Sequence, residues 1–371
     1  MARAITQKIK SYSVVTPEEA SRKPSVFVDD PDRHLKLGTV PKPVAASLRW
    51  AKRPDLVEGN DSRTYVIRGT EHRFAIDIGH VQNGHAEPFE VWVKGDTAPR
   101  GLAPLAKSLS MDMRSRDRGF LQAKLESLAK TPGKAFEFTL PDHRVVEAPS
   151  EVAAFAMLVD YRCRELKVYD LEGPTPVLDA LMSRKEPKTT ARGSDCWFVD
   201  FANPNSGDNI SMFVKELVLP DGTVRPYSVW LGGKYPKSLD GLCKALSFDL
   251  RVIEVEWALL KLRQLLSVAE VNGEFRAPVP GKEKTAFYPS TVAYMASLII
   301  DRIAYRGLCE ADGSPKGSTG VVAFDKSKAR ASAAADIASK GMPCTACGNP
   351  SSVKMDGGCA TCQECGHSHC S

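Results

Sequence analysis

Nowhere in its 371 residues does the chain hold a run of eighteen apolar residues. Its opening, MARAITQKIKSY, has no apolar stretch of the kind that forms the heart of a secretory signal. Neither a membrane-spanning helix nor export is therefore expected, and the chain reads as cytoplasmic. It has no G-x-x-x-x-G-K-[ST] loop to cradle phosphates, no G-x-G-x-x-G after a strand, no H-E-x-x-H helix and no recognisable nucleophile–histidine arrangement. His34, His72, His80, His85 and His143 form no ligand motif. Nothing points to an autonomous active site. A dominant charge is lacking too: 50 Lys and Arg stand against 45 Asp and Glu, a net of +5, scattered and without an aromatic–basic stripe. That balance gives weak attraction to polyanions and argues against a dedicated nucleic-acid surface. Hydrophobic content of 43% and charged content of 26% are ordinary and suffice for sizeable cores, in two or three domains.

Cysteine is present and very unevenly placed. Of ten, Cys163, Cys196, Cys243 and Cys309 are isolated and read as small core residues. The other six crowd into the last 28 residues as Cys344-x2-Cys347 and Cys359-x2-Cys362-x2-Cys365-x4-Cys370. In a reducing compartment such a cluster means metal or redox chemistry rather than structural disulfides. Cys344/Cys347/Gly348 and Cys362/Cys365/Gly366 are zinc-knuckle steps, the glycine letting the backbone turn tightly around the metal. Four thiolates at tetrahedral corners suit Zn²⁺, and two such pairs roughly a dozen residues apart make a zinc ribbon. Six thiols are two more than one zinc needs, and two partitions are open. Zinc on Cys344, Cys347, Cys362 and Cys365 leaves Cys359 and Cys370. Zinc on Cys344, Cys347, Cys359 and Cys362 leaves Cys365 and Cys370, a terminal dithiol suited to disulfide exchange. His367 and His369 read as solvent-exposed tail residues.

The rest of the chain is a duplication. Pro88-Phe-Glu-Val-Trp-Val matches Pro226-Tyr-Ser-Val-Trp-Leu, Lys107-Ser-Leu-Ser-Met-Asp-Met-Arg114 matches Lys244-Ala-Leu-Ser-Phe-Asp-Leu-Arg251, and Pro149-Ser-Glu-Val-Ala matches Pro289-Ser-Thr-Val-Ala, in the same order and nearly the same spacing. In each copy three short β-rich runs (64–68, 73–78 and 89–94 in the first) precede helical segments. Leu102, Leu105, Leu109 and Met113, and in copy two Leu239, Leu242, Leu246 and Leu250, form one buried helical stripe. A second helix is expected at about 118–129 and 252–268, and a third with Pro149 or Pro289 in its first turn. The fold class is α+β: two tandem units of a β-meander plus helices, then a small C-terminal zinc ribbon. Residues 1–62 read as a flexible leader, 63–175 and 190–313 as the two units, 314–340 as a linker and 341–371 as the ribbon with its redox-candidate tail. A flexible linker of that length reaches on the order of 30 Å. Trp92 and Trp230, mid-strand, are expected in the core. Asp112/Arg114 and Asp249/Arg251 stand two apart on a helix and so do not face each other. The duplicated region reads as a scaffold or docking domain.

Several of these segments resemble the C-terminal region of vitamin B12-dependent (class II) ribonucleotide reductases. They are Thr64–Ile78 with Pro88-Phe-Glu-Val-Trp-Val, Leu102–Arg114, Pro149–Leu166, the opening AITQKIKSYSVV and above all the tail from Cys344 to Ser371. The several hundred residues of the catalytic barrel, with its cobalamin contacts and radical cysteine, are not in this sequence. The resemblance therefore implies an accessory component that docks on a separate catalytic chain. That chain alone would hold adenosylcobalamin, and thioredoxin or glutaredoxin would be a further partner. It also implies that Cys365 and Cys370 carry reducing equivalents to the catalytic chain's disulfide for deoxyribonucleotide synthesis. Zn²⁺ would then lie on Cys344, Cys347, Cys359 and Cys362, or with Cys362 and Cys365 as its second pair. The reading from a different class is a zinc-ribbon binding module that contacts nucleic acid or a protein partner.

Overall fold

The computed structural model describes residues 47–49, 56 and 58–316, apart from 84, 172, 190, 192 and 220, together with the backbone of three short strands between 353 and 370. It is a mixed α+β molecule of several small antiparallel sheets and helices. In the first copy, alternation of apolar and polar residues drives β1 (Asp61–Arg68), β2 (Arg73–Asn83) and β3 (His85–Lys94) into an antiparallel meander. Ile67, Phe74, Ile76, Ile78, Phe89 and Val91 are buried beneath helix α1 (Leu102–Met113), whose Leu102, Leu105, Leu109 and Met113 form the expected stripe at 0% exposure. Helix α2 (Arg118–Leu128), a hairpin of β4 (Phe136–Thr139) and β5 (Val145–Ala148), helix α3 (Glu151–Glu165) and the short α4 (Pro176–Asp179) follow.

The second copy repeats this order: β6 (Cys196–Asn203), β7 (Asp208–Val218), β8 (Val224–Lys234), α5 (Leu239–Leu250), α6 (Val255–Leu265), the hairpin β9 (Phe275–Pro278) and β10 (Thr285–Tyr288), and α7 (Thr291–Tyr305). The duplication reaches details that the sequence match alone does not display. Each meander has one register shift, at Gly79/His80 and at Lys215/Glu216, and there His80 pairs with Pro88 and Glu216 with Pro226. Proline has no N–H for the ladder, so the matched prolines coincide with the bulges. Ahead of each meander a short strap crosses the turn after the first helix. Leu48 bridges Ser115 and Leu181 bridges Val252, with Arg49 N–H donating to the Arg114 carbonyl and Met182 N–H to that of Arg251.

Two expectations are corrected. Pro149 and Pro289 lie outside their helices. Ser150 and Ser290 are the caps, extended at φ −166° and −168°, their hydroxyls accepting from the N–H groups of Ala153 and Ala293. Trp92 and Trp230 are each 52% exposed, because in a three-stranded sheet covered on one side only every second residue reaches the core. Trp230 stands opposite Phe213, itself opposite Phe198 at a ring separation of 5.0 Å, so an aromatic row crosses the outer face of the second sheet.

Helices α1 and α5 cover their own sheets and meet each other between the copies, with α2 and α6 alongside. A third core, of Phe120, Val177, Leu181, Phe248, Val252 and Trp257, seals the junction. No helix among the described residues is long and apolar enough to cross a membrane.

Candidate functional site

The cysteine tail is described through three strands, β11 (Val353–Asp356), β12 (Cys359–Cys362) and β13 (Ser368–Cys370), in the antiparallel order β11-β12-β13. Val353 pairs with Cys362 and Asp356 with Cys359. On the other side of β12, Cys359 pairs with Cys370 and Thr361 with Ser368. Of the sequence-derived site residues, Cys359, Cys362 and Cys370 thus have a backbone position, while Cys344, Cys347 and Cys365 lie outside the described residues, as does the linker beyond 316. Among the described residues no group of three or more His, Cys, Asp or Glu is placed to hold a metal ion.

The isolated cysteines have a different character. Cys163, Cys243 and Cys309 are buried, as expected of small core residues, whereas Cys196 at the start of β6 is exposed. Burial pushes the Cys163 thiol up to about 12 and that of Cys309 to about 11, and raises those of Cys243 and Cys196. A buried thiol held protonated is a poor nucleophile at neutral pH, in keeping with Cys163, Cys243 and Cys309 as core residues.

Two polar sites at the junction of the copies were not legible as sites. The first is a quartet of fully buried charges. Lys124 Nζ lies 2.9 Å from Asp112 Oδ2 and 2.6 Å from Asp249 Oδ1, and Lys261 Nζ lies 2.6 Å from Asp249 Oδ1 and also bonds Asp112, all four side chains at 0% exposure. Trp257 Nε1 donates to Asp249 at 3.0 Å. Asp112 and Asp249 do not face their own helical neighbours at i+2, as the spacing required. Instead each meets a lysine of both copies. Burial works against charge on Lys124, but Asp112 and Asp249 outweigh it and raise its pKa. At Lys261 burial prevails against the same carboxylates and brings the ammonium down to about 8. With all four side chains sealed from solvent and each ion-paired across the two copies, the quartet ties the copies together.

The second is an open groove of about 700 Å³, the size of a small-molecule pocket, where the β1–β2 turn and the start of α3 face the β8–α5 connection. The space over Gly69 is taken by the Glu151 carboxylate, 2.1 Å from where a Cβ would stand. That carboxylate accepts from the His72 backbone N–H at 3.2 Å and lies 2.8 Å from His72 Nδ1. A carboxylate only accepts, so Nδ1 carries the hydrogen and Nε2 is the ring's second polar atom.

In the second copy the equivalent slot is closed. Asp208, standing where His72 stands, is clamped by Arg100 at 3.1 and 2.7 Å and accepts from Ser206 and Thr291, each at 2.6 Å. Arg100 also reaches Glu270 at 3.0 Å. Burial opposes the Asp208 charge, but these donors hold its carboxyl below the usual range. In the first copy Gly133 replaces Glu270, Glu151 replaces Thr291 and Lys237 replaces Arg100, so the acidic pair that would close the slot is missing. Comparison of the chain with protein-family models, curated proteins and solved structures returns no significant match.

Proposed function

We propose that the chain is an accessory C-terminal component of an adenosylcobalamin-dependent ribonucleotide reductase, which docks on the catalytic chain and relays reducing equivalents to it through tail cysteines. The observation that carries this reading is the terminal run of six cysteines, two more than one zinc needs, following a duplicated region without a catalytic motif. The donor set fits Zn²⁺, since Cys344 and Cys347 with either Cys359/Cys362 or Cys362/Cys365 would supply four thiolates. The protonated thiols of the duplicated region support the same division of labour.

Each turnover of the reductase leaves a disulfide in the catalytic chain. One tail thiolate attacks it to form a mixed disulfide, and the second tail thiol displaces the partner's sulfur. The partner regains two thiols, the tail becomes a disulfide, and thioredoxin or glutaredoxin returns it to the dithiol. A tether of this kind supplies an effective concentration near the millimolar range. The sequence reading assigns this exchange to Cys365 and Cys370; Cys370 belongs to the spare pair under either partition. Co-expression with a class II catalytic chain is expected to yield a stable complex. The double variant Cys365→Ser/Cys370→Ser is expected to abolish turnover with thioredoxin and to spare turnover with a small dithiol. Unchanged thioredoxin-dependent turnover removes the reading.

A further inference from the structure

We infer that the open groove of the first copy binds a small phosphate monoester with free hydroxyls, a compound of the sugar-phosphate class, with its phosphate on Lys237 and a hydroxyl on His72. Neither the tail cysteines nor a reductase partner takes part in this site.

The second copy shows the same slot filled by the chain itself. Asp208 is an internal anion there. Arg100 holds its carboxylate with two bonds, at 3.1 and 2.7 Å, and Ser206 and Thr291 each donate to it at 2.6 Å. Thr291 opens α7, so the carboxylate also lies where a helix favours negative charge. The planar fork of a guanidinium matches a planar carboxylate, and the closed slot is a carboxylate seat whose ligand belongs to the fold.

In the first copy the cation is kept and its anion is not. Lys237 stands where Arg100 stands, but His72 replaces Asp208 and Gly133 replaces Glu270. Lys237 is exposed, with its ammonium 4.2 Å from the centre of the Tyr235 ring, and it makes no ion pair among the described residues. The other cations of the groove are committed. Arg100 is bonded to Asp208 and Glu270, and Lys134 pairs with Glu71 at 3.3 Å. The Glu151 carboxylate is committed as well, since it fills the space over Gly69 and accepts from the backbone and ring of His72. An ammonium on a flexible stem is a point charge without the planar preference of a guanidinium, and a tetrahedral phosphate suits it.

The groove also offers two acceptors. With the hydrogen on Nδ1 held by Glu151, Nε2 of the neutral His72 ring can only accept. Asp96, exposed on the connection between β3 and α1, lines the same groove, and no hydrogen bond among the described residues engages its carboxylate. One free cation beside two acceptors calls for a ligand that carries an anion and donates hydrogen bonds, which is what a phosphorylated polyol does. The volume of about 700 Å³ has room for a hexose phosphate.

The test is a titration of the full chain, labelled with ¹⁵N, with glucose 6-phosphate, glucose and inorganic phosphate, followed on the histidine ring nitrogens and by calorimetry. Glucose 6-phosphate is expected to shift the His72 ring saturably, and glucose and inorganic phosphate to bind about tenfold or more weakly each. Lys237→Met is expected to weaken glucose 6-phosphate by about tenfold or more. The double variant His72→Asp/Glu151→Thr installs the second copy's residues and gives Lys237 an internal carboxylate. It is expected to keep the parent's thermal midpoint within a few degrees and to lose binding in the calorimeter. Absence of a saturable His72 shift, undiminished binding by either variant, or inorganic phosphate binding as tightly as the ester (an adventitious ion only) overturns the inference. The two proposals fail separately. A chain that binds glucose 6-phosphate in this way but no catalytic partner sinks the proposed function alone. A stable reductase complex whose groove takes no ester sinks this inference alone.

Discussion

At the scale of single residues, the junction quartet places four charged side chains at 0% exposure. Four charges fully out of water are tolerated because each has opposite partners within hydrogen-bond reach, and removing one leaves an uncompensated charge in the interior. Lys124→Met is expected to cost roughly 3–5 kcal/mol in urea unfolding, and the pairwise removal Asp112→Leu/Lys124→Met markedly less than the sum of its single changes. Glu216 makes a second, testable contribution. Arg302 of α7 and Arg306, which caps that helix, both bond its carboxylate. Burial alone would raise its pKa, but the two guanidinium groups outweigh that and hold it below the usual range. A carboxyl whose pKa is depressed by folding adds stability above its unfolded pKa and loses it as pH falls through the folded value. Urea titrations between pH 7 and pH 3 are therefore expected to show Glu216→Gln less stable at neutral pH by roughly 1.5–3 kcal/mol, with the gap closing at the acid end. A gap that stays constant across that range would contradict this account.

At the scale of elements, close approach of the helices depends on a missing side chain. Gly241 in α5 faces Val152 of α3, and a Cβ there would stand 2.5 Å from Val152 Cγ1. Elsewhere in a helix Gly→Ala gains about 1 kcal/mol. Here Gly241→Ala is expected to lose about 1–2 kcal/mol of thermal stability, since both Val152 methyls crowd the added Cβ and Val152 is buried and β-branched, hence stiff at χ1. The sheets show the reverse situation. Their outer faces keep Trp92 and Trp230 half exposed while Trp257 is wholly buried. Single-tryptophan chains are expected to show ready acrylamide quenching of Trp92 and Trp230 and little of Trp257. Equal protection of all three would contradict the one-sided packing of the meanders.

At the scale of the molecule, the two copies are expected to unfold as one cooperative unit. The shared core of Phe120, Val177, Phe248 and Trp257 and the buried quartet both draw on each copy. A calorimetric scan is expected to show a single transition for the duplicated region, and a chain ending at residue 189 to lack a cooperative transition, since it would expose half of that core and leave Asp112 and Lys124 with half their partners. Two independent transitions would show that the junction couples the copies weakly.

The sequence by itself determined the duplication, the order of strands and helices, and the leucine stripes, because these are local and periodic: alternation sets which face of a strand is buried, and a stripe at helical spacing has one face to bury. It also determined that six thiols share the tail, two more than a four-thiolate site would use. Short hairpins such as β4–β5 escaped notice, since four-residue strands carry little periodic signal, and the straps at 47–49 and 180–182 have no pattern at all. Only the tertiary structure decided what faces what. Asp112 and Asp249 are 137 positions apart and look solvated on their own helices until packing sets them around the same two lysines. His72 and Glu151 share no motif and meet because Gly69 leaves room for the carboxylate. The partner of Cys370 depends on strand register, a relation between segments that no spacing along one chain encodes.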